Sequence, residues 1–344
     1  MNLFVKIDEK GLVYNLEDQV ITDLDVVQEF LDSLTIDSHH TFRASLHDQS
    51  VVVEPFSFPL IATDVHGVQG TYLQLDCENE YTTQADLNKI FLDYKDRFIM
   101  YSDKGIPILF NRQAQEQLFD MAESFSDDAI VIEGQEYSTP PWIDTNATLS
   151  DPHLWSERYT QNDTGWDMGG PSPSLVWAVE KLKLPKMRVA VLGCGVGHDA
   201  QLFASKGHKV TGIDFSPEAI HKAETLYPSN ANLQWVCRDV FEISEEFKAS
   251  FDLVVEHTCF CAIDPLRRGE LVRVWKSILS PEGQVLGVFF VMPKTYGPPY
   301  GSTEEEIHDL MAKDFRKNLW VRSKVSHPGR LGRELIVLAR VNRV

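Results

Sequence analysis

The stretch that decides the fold is Val189-Ala190-Val191-Leu192-Gly193-Cys194-Gly195-Val196-Gly197-His198-Asp199. Its first four residues form a short apolar run, which is typical of a strand buried in a parallel sheet. The run ends in glycines at alternate positions, where the main chain can take positive φ and a ligand can approach without meeting a Cβ. Helical character follows from Asp199 to Lys206, so we predict a loop that opens a helix, with free N–H groups that favour an anionic group.

Two common nucleotide-binding loops are excluded by the spacing of these glycines. A dinucleotide fingerprint, G-x-G-x-x-G, would place glycine at position 198, where the chain has His198. The chain also contains no G-x-x-x-x-G-K-[ST] motif, which excludes a P-loop. A plain strand–turn–helix connection without a ligand stays open as the alternative.

Acidic residues follow the next two apolar runs in the chain. Asp214 lies near the end of the predicted strand 210–216, 17 residues after Gly197, where a carboxylate can accept both ribose hydroxyls of a nucleoside. Asp239 lies near the end of the predicted strand 233–241 and can accept from an adenine amine, with Val240 and Phe241 against the ring. Each acid alone could instead be an N-cap.

Strands and helices alternate five times from residue 189 onward, which predicts an α/β, doubly wound parallel sheet. The last two predicted strands, 319–325 and 334–341, fit an antiparallel finish with the final strand at the edge. Residues 1–125 have mostly strand-like patterns and predict a separate, β-rich α+β domain. Residues 126–150 are acidic and then contain Pro and Thr with little periodicity, which predicts a linker before a domain at 151–344.

The net charge of −19 belongs entirely to the first part of the chain. Residues 1–150 carry 8 basic and 27 acidic side chains, whereas residues 151–344 carry 24 of each. This distribution supports two units and argues against nucleic acid as a partner, because phosphates require clustered Lys and Arg. Solubility explains the acidic surface of the first part, with a basic protein partner as the alternative.

The remaining composition favours a cytoplasmic protein. The chain has no apolar run of about 18 residues, which a membrane span needs, and its beginning does not resemble a signal peptide. Five cysteines without a framework of spacings indicate reduced thiols. The pair Cys259 and Cys261 is too closely spaced for ordinary zinc ligands, and we expect no metal.

Several motifs in residues 152–341 resemble the thiopurine S-methyltransferase superfamily, which also contains plant halide and thiol methyltransferases. The motifs are Trp155-x-x-x-Tyr159, Gly165-Trp166-Asp167-x-Gly169, Leu192-Gly193-Cys194-Gly195-x-Gly197-His198-Asp199, Gly212-Ile213-Asp214, Phe251-Asp252-Leu253-Val254-Val255-Glu256, Phe260-Cys261-Ala262-Ile263-Asp264-Pro265 and Gly297-Pro298-Pro299-Tyr300. The resemblance implies a class I methyltransferase domain with a Rossmann-like sheet that binds S-adenosylmethionine. The acceptor it implies is a small soft nucleophile: a thiol, a selenium or tellurium compound, or a halide.

The resemblance also implies which residues contact the cofactor. By their match to family positions these are Trp155, Trp166, Gly193, Asp214, Phe215, Asp239, Val240 and Glu256, and the glycine pattern adds Gly195 and Gly197 and the strand end adds Phe241. Aromatic faces at Trp155, Tyr159 and Trp166 could stabilise a sulfonium cation and cover the site. Packing at a domain interface is the alternative for the tryptophans.

The acceptor side is predicted from fewer residues. The family resemblance implies an arginine at the position of His257 in the animal thiopurine enzymes and a tyrosine in the plant enzymes. His257 could remove a proton from a thiol or could only shape the pocket. Tyr159, Cys259, Tyr296 and Tyr300 are expected to line the same pocket. An O- or N-methyltransferase, a halide methyltransferase and a cofactor-binding sensor with little turnover stay as alternatives.

Overall fold

The structure is a computed structural model that describes residues 3–144 and 152–342. The described chain divides into two compact units. The first holds the residues up to Asp144 together with two short segments, Met292–Thr295 and Thr303–Glu305, and the second holds the rest. No helix in the described ranges is long and apolar enough to span a membrane.

The first unit is β-rich, as its strand-like patterns predict. Its strands are β1 (Leu3–Ile7), β2 (Thr35–Ile36), β3 (Phe42–Leu46), β4 (Gln49–Pro55), β5 (Leu60–Gln69), β6 (Tyr72–Cys77), β7 (Tyr81–Asp86), β8 (Phe91–Leu92), β9 (Phe98–Tyr101), β10 (Pro107–Phe110), β11 (Ser124–Phe125), β12 (Ala129–Ile132) and β13 (Gln135–Ser138). Its helices are α1 (Leu24–Asp32) and α2 (Arg112–Met121). The strands form three sheets, in the orders β1-β4-β3-β2, β7-β6-β5-β10-β9-β8 and β11-β12-β13, and one apolar core joins them.

The expected linker at residues 126–150 is wrong for its first half. Strands β12 and β13 pair antiparallel, from Ala129 opposite Ser138 to Ile132 opposite Gln135. Ile130, Ile132 and Tyr137 are buried in the core of the first unit. The acidic composition hid these strands because only every second side chain faces the core. Residues 145–150 of the expected linker lie outside the described residues.

The second unit is built on one seven-stranded sheet. Its strands are β14 (Arg188–Leu192), β15 (Lys209–Asp214), β16 (Leu233–Cys237), β17 (Phe251–His257), β18 (Leu279–Phe290), β19 (Phe315–Arg322) and β20 (Glu334–Val341). Its helices are α3 (Pro152–Gln161), α4 (Pro173–Leu182), α5 (His198–Ser205), α6 (Pro217–Leu226), α7 (Arg268–Ile278) and α8 (Glu304–Ala312), of which the first turn, through Glu305, falls in the first unit. The strand order is β16-β15-β14-β17-β18-β20-β19, with β20 antiparallel to both of its neighbours.

This topology is the doubly wound sheet predicted from the alternating pattern, with one correction. The final strand β20 lies between β18 and β19, so β19 rather than the final strand takes the edge. Burial of β20 is consistent with its sequence, because its first six residues are all buried, whereas β19 is mostly exposed or half-buried.

Both faces of the sheet are covered, as the continuous apolar run of β14 requires. Val189 and Val191 pack with Leu175 of α4 and Phe203 of α5 on one face. Ala190 and Leu192 pack on the other face with a cluster that includes Leu271, Trp275 and Ile278 of α7. The order of strands reverses between β14 and β17, and ligands in such sheets bind at that point, outside the carboxyl ends of the strands.

Candidate active site

A cavity of about 720 Å³ lies at the carboxyl ends of the strands of the second unit. It is lined from the loop after β14, from the ends of β15 and β17, and from the segment after β16. Most of the candidate residues line it, namely Trp155, Tyr159, Trp166, Gly193, Gly195, Gly197, Asp214, Phe215, Asp239, Val240, Phe241, His257 and Cys259. The topology therefore brings together residues that the sequence separates by up to about a hundred positions.

Gly193 and Gly195 in the glycine loop have positive φ angles and lie so close to neighbouring side chains that a Cβ would clash with them. Gly193 and Gly195 have φ of 56° and 52°, in the left-handed region. A Cβ at Gly193 would lie 2.7 Å from the Cβ of Cys259, and one at Gly195 would lie 2.8 Å from the hydroxyl oxygen of Tyr159. Both positions therefore exclude a side chain for two reasons, by backbone strain and by lack of space.

Asp214 is bound to the glycine loop and is buried, with 7% of its surface exposed. Its Oδ2 accepts from the N–H of Gly195 at 2.9 Å, and its Oδ1 accepts from the N–H of Ser216 at 3.0 Å. Burial raises the pKa of Asp214, and the hydrogen bonds from Ser216 and Gly195 oppose that rise. Each oxygen keeps a lone pair, so this carboxylate can both hold the loop and accept from a ligand.

The segment after β16 forms another wall of the cavity. Oδ1 of Asp239 accepts from the N–H of Phe241 at 2.9 Å. The guanidinium of Arg267 lies 3.5 Å from the centroid of the Phe241 ring, and its Nε donates to Glu270 at 2.9 Å. Arg267 is one of the lining residues that the sequence did not indicate.

An aromatic cluster from α3 and the segment after it covers the glycine loop. The rings of Trp155 and Trp166 meet edge-to-face at 5.3 Å, and the Nε1–H of Trp166 donates to the Tyr159 hydroxyl at 3.2 Å. The guanidinium of Arg158 lies 4.5 Å from the centroid of the Trp166 ring. Burial, and then the negative charge of Asp214, raises the pKa of Tyr159, so its hydroxyl stays protonated at neutral pH.

A chain of three charged or polar side chains forms a further part of the cavity wall. His257, at the end of β17, has its Nδ1 2.7 Å from Oδ2 of Asp199 and its Nε2 3.0 Å from Nη1 of Arg330. Arg330 ends a 3₁₀ turn, Pro328–Arg330, and its Nη2 donates to the main-chain oxygen of Trp166 at 2.7 Å. Both nitrogens of His257 thus have protein partners, an arrangement that neither sequence hypothesis for this residue included.

The cysteine thiols of the cavity are held in their protonated form. Burial, followed by the charge of Glu256, raises the pKa of Cys259 well above its ordinary value. The same two causes raise the pKa of Cys261 to about 12. Because the thiolate is the nucleophile, these side chains act as packing groups at neutral pH.

Three predicted site residues do not line the cavity. Glu256 is completely buried, and its Oε1 accepts from the N–H of Phe260 at 2.7 Å. Successive side chains of a strand face opposite sides of the sheet, so Glu256 and His257 of β17 are separated. Tyr300 is completely buried and Tyr296 is 58% exposed, while Pro298 and Pro299 of the same segment line the cavity.

Arg330, and the pairing of Asp199 with His257, had no local signal in the sequence. Arg330 belongs to a short turn between the last two strands, and no recognisable motif surrounds it. Asp199 lies in the glycine motif, but its partner His257 is 58 residues away. Across residues 3–144 and 152–342, no three His, Cys, Asp or Glu side chains are arranged to hold a metal ion.

Comparison with known proteins gives one family and several relatives. The family model for "Thiopurine S-methyltransferase (TPMT)" matches residues 150–335. Thiocyanate methyltransferase 1 of Arabidopsis thaliana is 33% identical over 160 residues, which cover 44% of this chain and 70% of the relative. The thiopurine S-methyltransferase of Pseudomonas fluorescens (strain SBW25) is 25% identical over 175 residues, which cover 46% of this chain and 80% of the relative.

Solved structures also resemble this chain. One is the 1,6-didemethyltoxoflavin-N1-methyltransferase of Burkholderia thailandensis, with bound 1,6-didemethyltoxoflavin and S-adenosylhomocysteine. It is 20% identical, with a TM-score of 0.45, and the match covers 65% of this chain and 99% of that chain.

Proposed function

Because the chain belongs to the thiopurine S-methyltransferase family and is an S-adenosylmethionine-dependent methyltransferase, we propose that it methylates a small soft nucleophile. A thiol is the favoured acceptor, followed by a selenium or tellurium compound. The names of two relatives, thiocyanate methyltransferase and thiopurine S-methyltransferase, support a sulfur acceptor. The five free thiols support a reducing compartment such as the cytosol.

The observation that carries the proposal is one cavity with two unlike ends. At one end the glycine loop and Asp214 leave main-chain groups accessible where no Cβ can be placed. At the other end, the guanidinium of Arg330 lines the cavity and supplies N–H donors. A nucleoside-bearing cation at the first end and an acceptor that gains from a positive charge at the second fit this distribution.

The cofactor end fits S-adenosylmethionine by the chemistry of its residues. Gly193, Gly195 and Gly197 would lie against the cofactor, Asp214 would accept from the ribose, and Asp239 would accept from the adenine amine with Val240 and Phe241 against the ring. Phe215 lines the same part of the cavity. When bound, the cofactor supplies the methyl group on a sulfonium, an electrophile already activated by its charge.

The protein has to align the acceptor and exclude water. The aromatic cluster of Trp155, Tyr159 and Trp166 lines the cavity beside the glycine loop, and because the guanidinium of Arg158 already lies over the Trp166 ring, the cluster contributes mainly by excluding water. Arg330 favours the ionised form of the acceptor, since a thiolate attacks and a thiol does not. The protonated Cys259 and Cys261 do not compete with the acceptor for the methyl group.

Calorimetry with S-adenosylmethionine and S-adenosylhomocysteine tests this function, on wild-type protein and on Asp214→Ala. We expect micromolar binding to wild type and loss of at least about tenfold in the variant, because a hydrogen bond from a hydroxyl to a charged group contributes about 1.5–3 kcal/mol. Methylation of thiols, selenite and iodide is then compared by mass spectrometry. Binding without methylation of any acceptor would contradict the enzyme and support a sensor.

A further inference from the structure

The hydrogen bonds around His257 determine which of its nitrogens carries the proton. Arginine has five N–H donors and no acceptor, so the Nε2 that lies 3.0 Å from Nη1 of Arg330 accepts a hydrogen bond. Nδ1 therefore carries the proton and donates it to Oδ2 of Asp199 at 2.7 Å. In this state His257 has no free lone pair with which to remove a proton from an acceptor.

Asp199 is fixed and charged. Its Oδ1 accepts from the N–H of Ser172 at 2.8 Å, so both carboxylate oxygens are bound. Burial raises the pKa of Asp199, but its hydrogen bonds with His257 and with the N–H of Ser172 oppose that rise, and the pKa lies below its ordinary value. The negative charge is therefore retained at neutral pH and selects the tautomer of His257.

Arg330 is the group that these residues hold. It is 7% exposed, its Nη2 donates to the main-chain oxygen of Trp166 at 2.7 Å, and its guanidinium lies 5.2 Å from the centroid of the Phe290 ring. Oε1 of the buried Glu334 lies 3.8 Å from Nη1, which is beyond hydrogen-bond distance but close enough for an ion pair with the guanidinium. Among the described residues only two of its five N–H groups have hydrogen-bond acceptors, although the side chain lines the cavity.

We propose that Asp199 and His257 are positioning residues, which hold the guanidinium of Arg330 so that its remaining N–H groups meet an acceptor that enters as an anion. This inference rests on the proposed function and assigns His257 a role other than general base. Deprotonation of the acceptor then occurs in solution, and the acceptors favoured are thiols that are ionised at the working pH.

Substitutions of His257 separate positioning from base catalysis. In His257→Gln the amide oxygen can accept from Arg330, but an amide cannot take up a proton at neutral pH. We expect an acceptor KM within about threefold of wild type in His257→Gln, and about tenfold higher in His257→Ala and Asp199→Asn, since one hydrogen bond to a charged group is lost. His208→Gln is the matched control, because His208 is also buried and does not line the cavity.

The pH dependence of kcat/KM supplies a second readout, measured with 4-nitrothiophenol and with 2-mercaptoethanol. The groups that face His257 are Asp199 and Arg330, with Glu334 next to Arg330. If Asp199 and His257 only position Arg330, the pH profile of kcat/KM for each acceptor follows the ionisation of that acceptor's thiol. A common enzyme pKa that His257→Gln removes, or equal loss of kcat in His257→Gln and His257→Ala, would overturn the inference.

Calorimetry with S-adenosylhomocysteine distinguishes this inference from the proposed function. We expect the dissociation constant to change less than about twofold in His257→Gln and His257→Ala, because neither His257 nor Arg330 is among the residues proposed to hold the cofactor. If S-adenosylhomocysteine binds normally and the acceptor KM is unchanged in His257→Ala, the positioning inference is contradicted and the proposed function is not. Absence of binding to wild type would overturn the proposed function and this inference with it.

Discussion

The two ends of the cavity are built from different parts of the chain. The cofactor end consists of main-chain groups of one loop and of acids that directly follow neighbouring strands, so its parts lie within short motifs. The acceptor end consists of side chains that are far apart in the sequence, one of them, Asp199, from the helix that follows the glycine loop, with partners 58 and 73 residues apart. A local motif can therefore specify where a cofactor binds, whereas the group that selects the acceptor depends on the complete topology.

The largest expected effect is a loss of cofactor affinity caused by a substitution in the glycine loop. In Gly195→Ala the new Cβ meets the Tyr159 hydroxyl at 2.8 Å and the residue must keep a φ of 52°. Overpacking and left-handed strain together cost about 2–5 kcal/mol, so S-adenosylhomocysteine should bind at least about a hundredfold more weakly. Isothermal calorimetry measures this.

The matched control for this variant is Gly105→Ala. Gly105 has a φ of 74° with open space around its Cβ position, so it reports the backbone strain without the contact. It should lower the melting temperature and leave cofactor binding unchanged. Equal binding by Gly195→Ala and wild type would mean that the glycine loop is not the cofactor cradle.

The next effect concerns Glu256, which lies beside His257 in the sequence but at neither end of the cavity. Its Oε2 has no hydrogen-bond partner in the described part of the chain, and burial raises its pKa to about 7. The unfolded chain releases this proton near pH 4.5, so the folded state loses stability as the pH rises from there through 7. The loss is on the order of 3 kcal/mol at full ionisation.

Chemical denaturation of Glu256→Gln across this pH range tests that sign. The amide keeps the acceptor for the N–H of Phe260 and cannot ionise. We expect the decline in the free energy of unfolding to be smaller in the variant by about that amount, with both ligand affinities unchanged. An identical pH dependence of the free energy of unfolding in Glu256→Gln and in wild type would contradict the assignment to Glu256.

The positions Gly195 and Glu256 also show which parts of the site could be predicted from the sequence and which could not. The alternation of apolar runs and turns predicted the second unit, because the central strands β14, β17 and β18 are mostly buried and need no distant information to be recognised. Asp214 and the glycines line the cavity as predicted, because their positions depend on neighbours within one strand–loop–helix unit. Glu256 does not line it, because a family match gives a position along β17, and the face of the strand decides which side of the sheet the side chain reaches.

Arg330 and the strands β12 and β13 were missed for a different reason. The sequence around Arg330 is an ordinary turn, and only the insertion of β20 between β18 and β19 carries that turn to the cavity. Strands β12 and β13 are four residues each, and the acidic residues that flank them, Asp127, Asp128 and Glu133, outweighed Ile130, Ile132 and Tyr137 in the composition. In both cases the tertiary contact, and not local propensity, determines the structure.

Arg330→Lys sharpens the comparison from the acceptor end. Lysine keeps the charge but cannot make the hydrogen bonds to His257 and to the Trp166 main chain in one planar arrangement. We expect the acceptor KM to rise about tenfold, as for loss of one charge-assisted hydrogen bond, with unchanged S-adenosylhomocysteine affinity. Steady-state kinetics at saturating cofactor measure it, and Arg112→Lys, at an exposed pair in the first unit, is the control. If the cofactor affinity changes and the acceptor KM does not, Arg330 belongs to the cofactor end of the cavity, which contradicts its assignment to the acceptor end.

The smallest effect comes from the residue that contacts both ends. The side chain of Trp166 donates to Tyr159 above the glycine loop, while its main-chain oxygen accepts from Arg330. Trp166→Phe removes the first bond and keeps the second, so we expect cofactor affinity to fall about two- to fivefold, as one neutral hydrogen bond is lost, and the acceptor KM to stay constant. If the acceptor KM changes as much as the cofactor affinity, the two ends are coupled through the aromatic cluster, and the separation between a motif-built end and a topology-built end fails at this residue.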